Sequence, residues 1–448
     1  MHREFSWPDA MDRELQDIEQ LDASNTGQWL RSQQAKGCDD PTIHLILALA
    51  CARYVDHHGP FIGHGIFNGG PMLRAGSLLS HQFRNLALLQ TAAYVVDLLR
   101  QPNYGPYLLM EMLPVTEVTV EASRAQLIAS VESGDKPLEA EHRLVGLLET
   151  NRGTEVRWLL TEVALRQFHE NEHRLLIVHR AAQLMDDTSG WAWVEPIFRA
   201  AVQYLATHPA VWQAESPGIP RDVAEWHGNP SSIESAVEEL IEAEYGYEPL
   251  LLHEMAGLGL PLPDIVGLTG AEILCRSRFD AHAVTGLHCI LDLVHDPTVT
   301  PGVRALAIET SLLGQRTRRQ KELRSTWRTT TSPRPIKRSL EELRDIVTHD
   351  ASGLSAMGAV GGMLLAGADA RGITRTLMEV ALTNSGPFEA IHNVKMLWGQ
   401  LLETQRSGFP DLAWRHLAAG ARVVAETTTE GRINAEPILS MWHSADLS

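Results

Sequence analysis

The chain has 448 residues, 44% hydrophobic and 21% charged, a balance typical of a globular protein with room for a large core or two to three domains. Its net charge of −18 disfavours binding to nucleic acid or to an anionic membrane, so we expect neither as a partner. Four cysteines without CxxC spacing, and a charged N-terminal stretch without a signal-peptide core, predict reduced thiols in a cytoplasmic protein.

Apolar residues recur at helical spacing along nearly the whole chain, for example in LQDIEQL, LIASVESG, AVEELIEAEY and LEELRDIV. Gly and Pro fall between these stretches, as helix breakers should. No convincing alternating strand pattern is found, and the most apolar run, GLSAMGAVGGMLLAG, is too short and too rich in Gly to span a bilayer. The sequence therefore predicts an all-α protein.

The predicted helices form four similar segments in chain order: repeat 1 (13–105), repeat 2 (122–215), repeat 3 (231–320) and repeat 4 (338–430). In each, a helix pair precedes a Gly, and an apolar helix, a His-bearing helix and one more helix follow it. The opening glycines are Gly37, Gly153, Gly259 and Gly367. We expect four pseudo-repeats of about five helices, packed as a curved or closed assembly that behaves as a single all-α domain.

Aligning the repeats places one histidine at the same position of each His-bearing helix, namely His64, His179, His288 and His392. Six residues earlier, three of the repeats carry a second histidine, namely His58, His173 and His282, whereas the fourth has Gly386. Chance is one explanation in a chain with 20 histidines. A structural ring of histidines, each bonded to a backbone carbonyl, is another. His81, His208, His416 and His443 are expected to face solvent.

The spacing of six residues limits what each pair can do, because it turns two side chains about 120° apart on a regular helix. We therefore expect the earlier histidine at the helix entry or in the preceding turn, and the later one inside the helix. Helices related by pseudo-symmetry point at a shared centre, so the sequence predicts that the histidine helices aim their imidazoles at one cavity.

Carboxylates accompany these histidines, and Glu389 precedes His392 at the Glu-x-x-His spacing that places both side chains on one helix face. Most of the acids are also ordinary residues for a helix start. Several imidazoles with carboxylates suit iron best, as one ion or a pair, with manganese, zinc and copper as alternatives. The predicted metal ligands are His64, His179, His288, His392, His58, His173, His282 and Glu389; no catalytic residue is assigned.

A basic stretch, RTRRQKELRSTWRTTTSPRPIKR, covers residues 316–338 and contains nine basic residues and one acid. It is either a solvated linker between repeats 3 and 4 or a docking strip for an anionic partner or reductase. The sequence does not decide between the two.

The segments HENEHRLLIVHRAAQL, HAVTGLHCILDLV and AIHNVKMLWGQLLE resemble His-bearing helices of questin oxidase-like proteins, and of a helical module attached to Rieske-type iron–sulfur domains in bacteria. The resemblance covers about a quarter of the chain. Rieske cysteine–histidine pairs are absent, and GHGIFNGGPMLRAG has no counterpart in either group. The resemblance implies oxidative chemistry on an organic or aromatic substrate at the four aligned histidines.

Three functions are compatible with this pattern. The first is a metal-dependent oxidase or oxygenase with non-haem iron, an organic small-molecule substrate and, where electrons are needed, a separate reductase. The second is a non-catalytic helical-repeat scaffold that binds a partner along a concave face, with structural histidines. The third is a zinc- or manganese-dependent hydrolase that uses the same cavity.

Overall fold

The computed structural model describes residues 3–54, 61–100, 108–151, 153–169, 171–207, 209–213, 218–219, 229–244, 246–277, 282–313, 328–329, 333–445 and 447, with the backbone alone at 61–62, 230, 282–283 and 429–434. Over these ranges the regular structure is helical, and β-type pairing is limited to two isolated bridges, Glu4 with Met110 and Tyr54 with Leu108. The predicted all-α class is confirmed.

The chain divides into two compact units. Unit 1 consists of Met1–Ser77, His81–Trp212 and Ile438–Ser448, and unit 2 of Leu78–Ser80 and Gln213–Pro437. Most of repeats 1 and 2 therefore lies in unit 1, and repeats 3 and 4 lie in unit 2. All four cysteines are free thiols. None of the helices in the described ranges is both long and apolar enough to cross a membrane.

The helices of unit 1 are α1 (Asp9–Glu19), α2 (Thr26–Ala35), α3 (Asp40–Ala52), α4 (Phe61–Phe67), α5 (Gly69–Gly76), α6 (His81–Leu99), α7 (Val120–Ser133), α8 (Pro137–Thr150), α9 (Gly153–Arg166), α10 (His173–Thr188) and α11 (Val194–Ala206), with a short 3-10 helix at Gly190–Trp193. The GHGIFNGGPMLRAG stretch of repeat 1 forms two short helices, α4 and α5. Within the described residues, repeat 1 thus has one α-helix more than repeat 2.

In the described residues, the helices of unit 2 are α12 (Pro230–Glu242), α13 (Glu248–Gly257), α14 (Leu262–Arg276), α15 (His282–His295), α16 (Pro301–Thr310), α17 (Leu340–His349), α18 (Leu354–Leu365), α19 (Ala370–Asn384), α20 (Pro387–Arg406) and α21 (Pro410–Ser444). Five of them fall in repeat 3 and five in repeat 4. The last part of α21, from Ile438 onwards, belongs to unit 1. Most of the basic stretch between the repeats lies outside the described residues.

Three of the four predicted opening glycines make the same turn. Gly37, Gly259 and Gly367 have φ values of 86°, 71° and 82°, a left-handed conformation in which a side chain is strained. In each case the next residue's N–H donates to the carbonyl five residues back, as in Cys38 to Gln33, which is the hydrogen bond of a Schellman motif. The next helix has its N-cap two residues beyond the glycine. Gly153 differs, because it is the first residue of α9.

The first helices of repeats 2, 3 and 4 begin at side-chain caps. Thr119, Asn229 and Ser339 accept hydrogen bonds from backbone N–H groups of the first turn. At Asn229 and Ser339 the third residue bonds back to the cap, which completes a capping box. Local sequence therefore determines where these repeats start.

Helix α10 lies at the centre of unit 1, with every residue from His173 to Met185 buried. It packs against α3, α4, α5, α9 and α11. A helix buried on all sides is normally apolar all round, yet α10 carries His173, Arg174, His179, Arg180 and Gln183. Burying these groups costs free energy unless each finds a partner. The centre of unit 1 is therefore built around polar side chains.

Candidate functional site

The histidine helices begin where the sequence predicts. His173 is the first residue of α10, and the backbone of His282 starts α15. Gly386, which takes the same place in repeat 4, is the N-cap of α20. The later histidines, His64, His179, His288 and His392, lie inside α4, α10, α15 and α20, and each is 3% exposed. The expected division between an entry position and an interior position is confirmed for repeats 2 and 3.

Two of the predicted ligands meet in unit 1. Nε2 of His64 on α4 lies 3.2 Å from Nε2 of His173 on α10. The rings are tilted by 57° with centroids 4.8 Å apart. Phe67 and Tyr94 flank His64, with ring centroids 4.7 and 6.2 Å from its own. The pair therefore lies among aromatic rings in the interior of unit 1.

Asn171 fixes the protonation of His173. Its Oδ1 accepts the backbone N–H of His173 at 2.9 Å and lies 2.5 Å from the Nδ1 of the same residue. An oxygen that accepts the backbone N–H is an acceptor for the ring as well, so Nδ1 carries the proton. The carboxylate of buried Glu172, 3.9 Å from Nδ1, favours the same tautomer. The lone pair of neutral His173 is therefore on Nε2, facing His64.

His179 is oriented by two neighbours on its own helix. Nη1 of Arg180 donates to Oε1 of Gln183 at 2.6 Å, which leaves the amide nitrogen of Gln183 to face His179. That nitrogen lies 3.1 Å from Nε2 of His179, so Nε2 accepts and Nδ1 is protonated. Among the described contacts, the Nε2 lone pair of His179 is thus engaged by Gln183.

In unit 2, His288 packs against the backbone of α20. A Cβ added at Gly399 would lie 1.9 Å from Nδ1 of His288 and 2.4 Å from two ring carbons. No side chain fits between the ring and this helix, so Gly399 is needed for the contact. A glycine inside a helical pattern signals such a close approach, a signal that the histidine alignment did not use.

His392 takes the orientation common among buried and metal-ligating histidines. Its Nδ1 lies 2.6 Å from the carbonyl oxygen of Phe388. A carbonyl only accepts, so Nδ1 is protonated and the lone pair is on Nε2. The ring stacks on Phe388 with centroids 4.3 Å apart. Glu389, the predicted partner acid, is half-buried in the first turn of the same helix.

In the two units, the histidine helices contact each other at different positions along their length. In unit 1, His64 meets the first residue of α10, and Gly63 faces Ile177. In unit 2, His288 lies against Gly399, thirteen positions after the N-cap Gly386. The repeat alignment pairs His64 with His288 and His173 with Gly386, so the contact in unit 2 lies about three and a half helical turns further along.

The structure does not describe the side chains of two predicted ligands, His58 and His282. His58 lies outside the described residues, and only the backbone of His282 is described. Within the ranges that are described, no three His, Cys, Asp or Glu side chains are grouped closely enough to hold a metal ion. Of the predicted ligand set, the contacts in these ranges bring together His64 and His173.

One expectation about the other histidines is wrong. His416 was expected to face solvent, but it is 2% exposed, because α21 turns it towards Gly267 of α14. Burial and the adjacent Arg415 lower the pKa of His416 to about 3. His44 on α3 is also buried, and its pKa falls to about 4. His81 and His443 are exposed as expected, and His208 lies outside the described residues.

A second candidate site is a cavity of about 510 Å³ in unit 2, lined by parts of α14, α15 and α16 and by the turn before α21. Its polar groups are Asp264, His295 and Arg304. Oδ1 of Asp264 accepts hydrogen bonds from Oγ of Ser407 at 2.7 Å and from the N–H of Gly408 at 3.0 Å. Burial raises the pKa of Asp264 and lowers that of His295. The three groups are distant in sequence, so no motif announces this cavity.

Comparisons of this chain with protein-family models, with curated proteins and with solved structures found no match.

Proposed function

We propose that the protein is a metal-dependent oxidase or oxygenase that acts on an organic small molecule, with a metal ion held by buried imidazoles. The observation that carries this proposal is the His64–His173 pair, whose Nε2 atoms are 3.2 Å apart. Two nitrogens bound at about 2.0–2.1 Å to one tetrahedral ion lie about 3.3 Å apart. The pair therefore has the spacing of two ligands of a single ion.

The surroundings of His173 support the same function. A metal-binding imidazole almost always donates its other ring N–H to a carboxylate, a carbonyl or a water, which fixes the tautomer. The Nδ1–H of His173 donates to Oδ1 of Asn171, and this keeps the Nε2 lone pair directed at the space beside His64. Phe67 and Tyr94 beside the pair would exclude bulk water.

The proposed ligand set extends beyond this pair. We assign His58 as the next ligand because it precedes His64 by six residues, as His173 precedes His179. Imidazole ligands favour iron, with manganese, zinc and copper as alternatives. When bound, iron supplies the redox centre. The chain's own residues orient the imidazoles, and a separate reductase provides electrons where the reaction needs them.

The proposal also includes descent of the four repeats from one helical unit. The matching Schellman turns at Gly37, Gly259 and Gly367 support it for repeats 1, 3 and 4. The entry positions of His173 and His282 support it for repeats 2 and 3. On this view repeats 3 and 4 keep the histidines but have a different helix contact, and the metal-binding role belongs first to unit 1.

Elemental analysis of protein purified without a histidine tag tests the metal. The wild type is expected to contain, or to take up anaerobically, a stoichiometric amount of iron. His64→Gln and His173→Gln should lose it while their far-ultraviolet circular dichroism is unchanged. His443→Gln, at an exposed histidine, is the matched control. Wild-type protein that binds no transition metal, or full binding in both variants, would contradict the proposal.

Two further measurements distinguish the proposed iron oxidase from the hydrolase and the scaffold. Metal loss in His288→Gln or His392→Gln as large as in His64→Gln would contradict the assignment of the metal to unit 1. The absorption spectrum and the redox activity of the loaded protein separate an iron oxidase from a zinc or manganese hydrolase. Metal-free protein in which the histidine variants change only stability would favour the scaffold.

A further inference from the structure

The cavity of unit 2 combines apolar walls with one cation. Leu262 on α14, Val294 on α15, Ile308 on α16 and Phe409 in the turn before α21 form part of its lining. Its volume of about 510 Å³ falls in the range typical of small-molecule sites, which are mostly apolar with a few convergent polar groups. A compact organic molecule would fit this space.

Arg304 supplies the cation. It is half-buried on α16, and within the described part of the chain its guanidinium forms no ion pair or side-chain hydrogen bond. Two other arginines of unit 2 are paired: half-buried Arg406 binds Asp292 at 2.7 Å, and buried Arg415 binds Glu234. A guanidinium on a cavity wall that is not paired with a carboxylate is suited to a planar anionic group from a ligand.

Asp264 does not neutralise Arg304 by contact, because its carboxylate is held by Ser407 and Gly408. These two hydrogen bonds fix residues 407–409 against the start of α14, so that Phe409 forms a wall of the cavity. His295 closes the same side from the end of α15. The walls that carry Asp264 and Phe409, which are far apart in sequence, are therefore fixed to each other by these hydrogen bonds.

We propose that this cavity binds a small organic acid, with the carboxylate of the ligand on Arg304 and its apolar body against Leu262, Ile308 and Phe409. A carboxylate fits better than a phosphate, since one guanidinium provides two parallel donors and the remaining walls are largely apolar. The inference concerns residues of unit 2 alone and does not depend on metal binding in unit 1.

Titration calorimetry with 3-phenylpropanoate, and with the neutral 3-phenylpropanamide as counterpart, tests the site in the full chain. The acid is expected to bind the wild type at least about tenfold more tightly than the amide. Arg304→Gln should weaken the acid by about tenfold or more and leave the amide unchanged. Arg375→Gln, at an exposed arginine of α19, is the matched control and should bind as the wild type does.

Ala305→Phe tests the location, because Ala305 lines the cavity and a phenyl ring there would fill it. Binding of both probes should be lost, with the melting temperature measured to verify folding. If Ala305→Phe does not fold, the binding measured with Arg304→Gln tests the location of the site instead. Three outcomes would overturn the proposal: no binding of the acid to the wild type, equal binding of acid and amide, or undiminished binding in Arg304→Gln.

Discussion

The buried histidines of unit 1 and unit 2 occupy the same kind of position in their helices but contact different groups. In unit 1, His64 meets the imidazole of His173. In unit 2, His288 meets the backbone at Gly399, and His392 donates to the carbonyl of Phe388. The sequence pattern determines which face of a helix carries the imidazole, whereas the level at which two helices pack determines what the imidazole meets. Four aligned histidines are therefore not four equivalent ligands.

The largest loss of stability is expected at a buried ion pair of unit 1, where, as at His64 and His173, one side chain contacts another. Arg199 on α11 and Glu141 on α8 form an ion pair at 3.1 Å, and each is 1% exposed. Arg199→Met leaves the carboxylate buried without its partner and should lower the free energy of unfolding by about 3–5 kcal/mol. Chemical denaturation measures this.

The double variant Arg199→Met/Glu141→Met is the control, and it should regain most of the loss because both charges are removed together. The buried arginine of unit 2 that compares with Arg199 is Arg422, and it donates to backbone carbonyls, those of Leu274 and Ser277. Exposed Arg375→Gln should change little. Equal losses in Arg199→Met and in the double variant would mean that packing, rather than charge, dominates this site.

The contact that distinguishes unit 2 is tested at Gly399. Gly399→Ala places a methyl group against the His288 ring and should cost about 1–3 kcal/mol by overpacking. Gly358→Ala on α18 is the matched helical control, because an added Cβ there meets nothing within 4 Å. It should stabilise by up to about 1 kcal/mol through helix propensity. Denaturation curves in which both variants behave alike would refute the His288 contact.

Acid stability compares the buried histidines His44 and His416, one in each unit. Both are neutral when folded, with pKa values of about 4 and about 3, against an ordinary 6.5. Below pH 6.5 the unfolded chain binds protons that the folded chain does not. Each histidine therefore lowers stability as the pH falls, by about 1.4 kcal/mol per pH unit, until its folded pKa is reached.

His416→Leu should reduce the slope of stability against pH by one proton between pH 6.5 and about 3. His44→Leu should do so down to about 4. Exposed His443→Gln should keep the wild-type slope. Denaturation at a series of pH values measures all three, and an unchanged slope in His416→Leu would show that this histidine is already charged in the folded state.

The smallest effect is the coupling between histidines in metal-free protein. A double-mutant cycle on His64 and His173 with leucine should give an interaction of about 1 kcal/mol. The same cycle on His288 and His392 should give nearly zero. His288 contacts Gly399, which lies about 10 Å along α20 from His392, and distant sites add. Equal coupling in the two units would remove the distinction between them.

Local signals made part of this molecule predictable. Gly37, Gly259 and Gly367 were identified as breaks because only a residue without a side chain easily takes their turn. The entry position of His173 followed from the 120° offset within a pair. The sequence could not show that His64 and His173, among all the aligned histidines, are the two that meet. This contact depends on the position along α10 at which α4 packs. The burial of His416 could not be derived either, because it depends on where α21 packs against Gly267 of α14.

The segment Ile438–Ser448 belongs to unit 1 although it follows all of unit 2 along the chain. The carbonyl of Ala445 accepts from Arg31 on α2, and that of Leu447 accepts from Asn85 on α6. During synthesis, α2 and α6 leave the ribosome long before residues 438–448, so these contacts can form only after all of unit 2 has been made. Until then the surface of α2 and α6 that this segment contacts stays uncovered at those points.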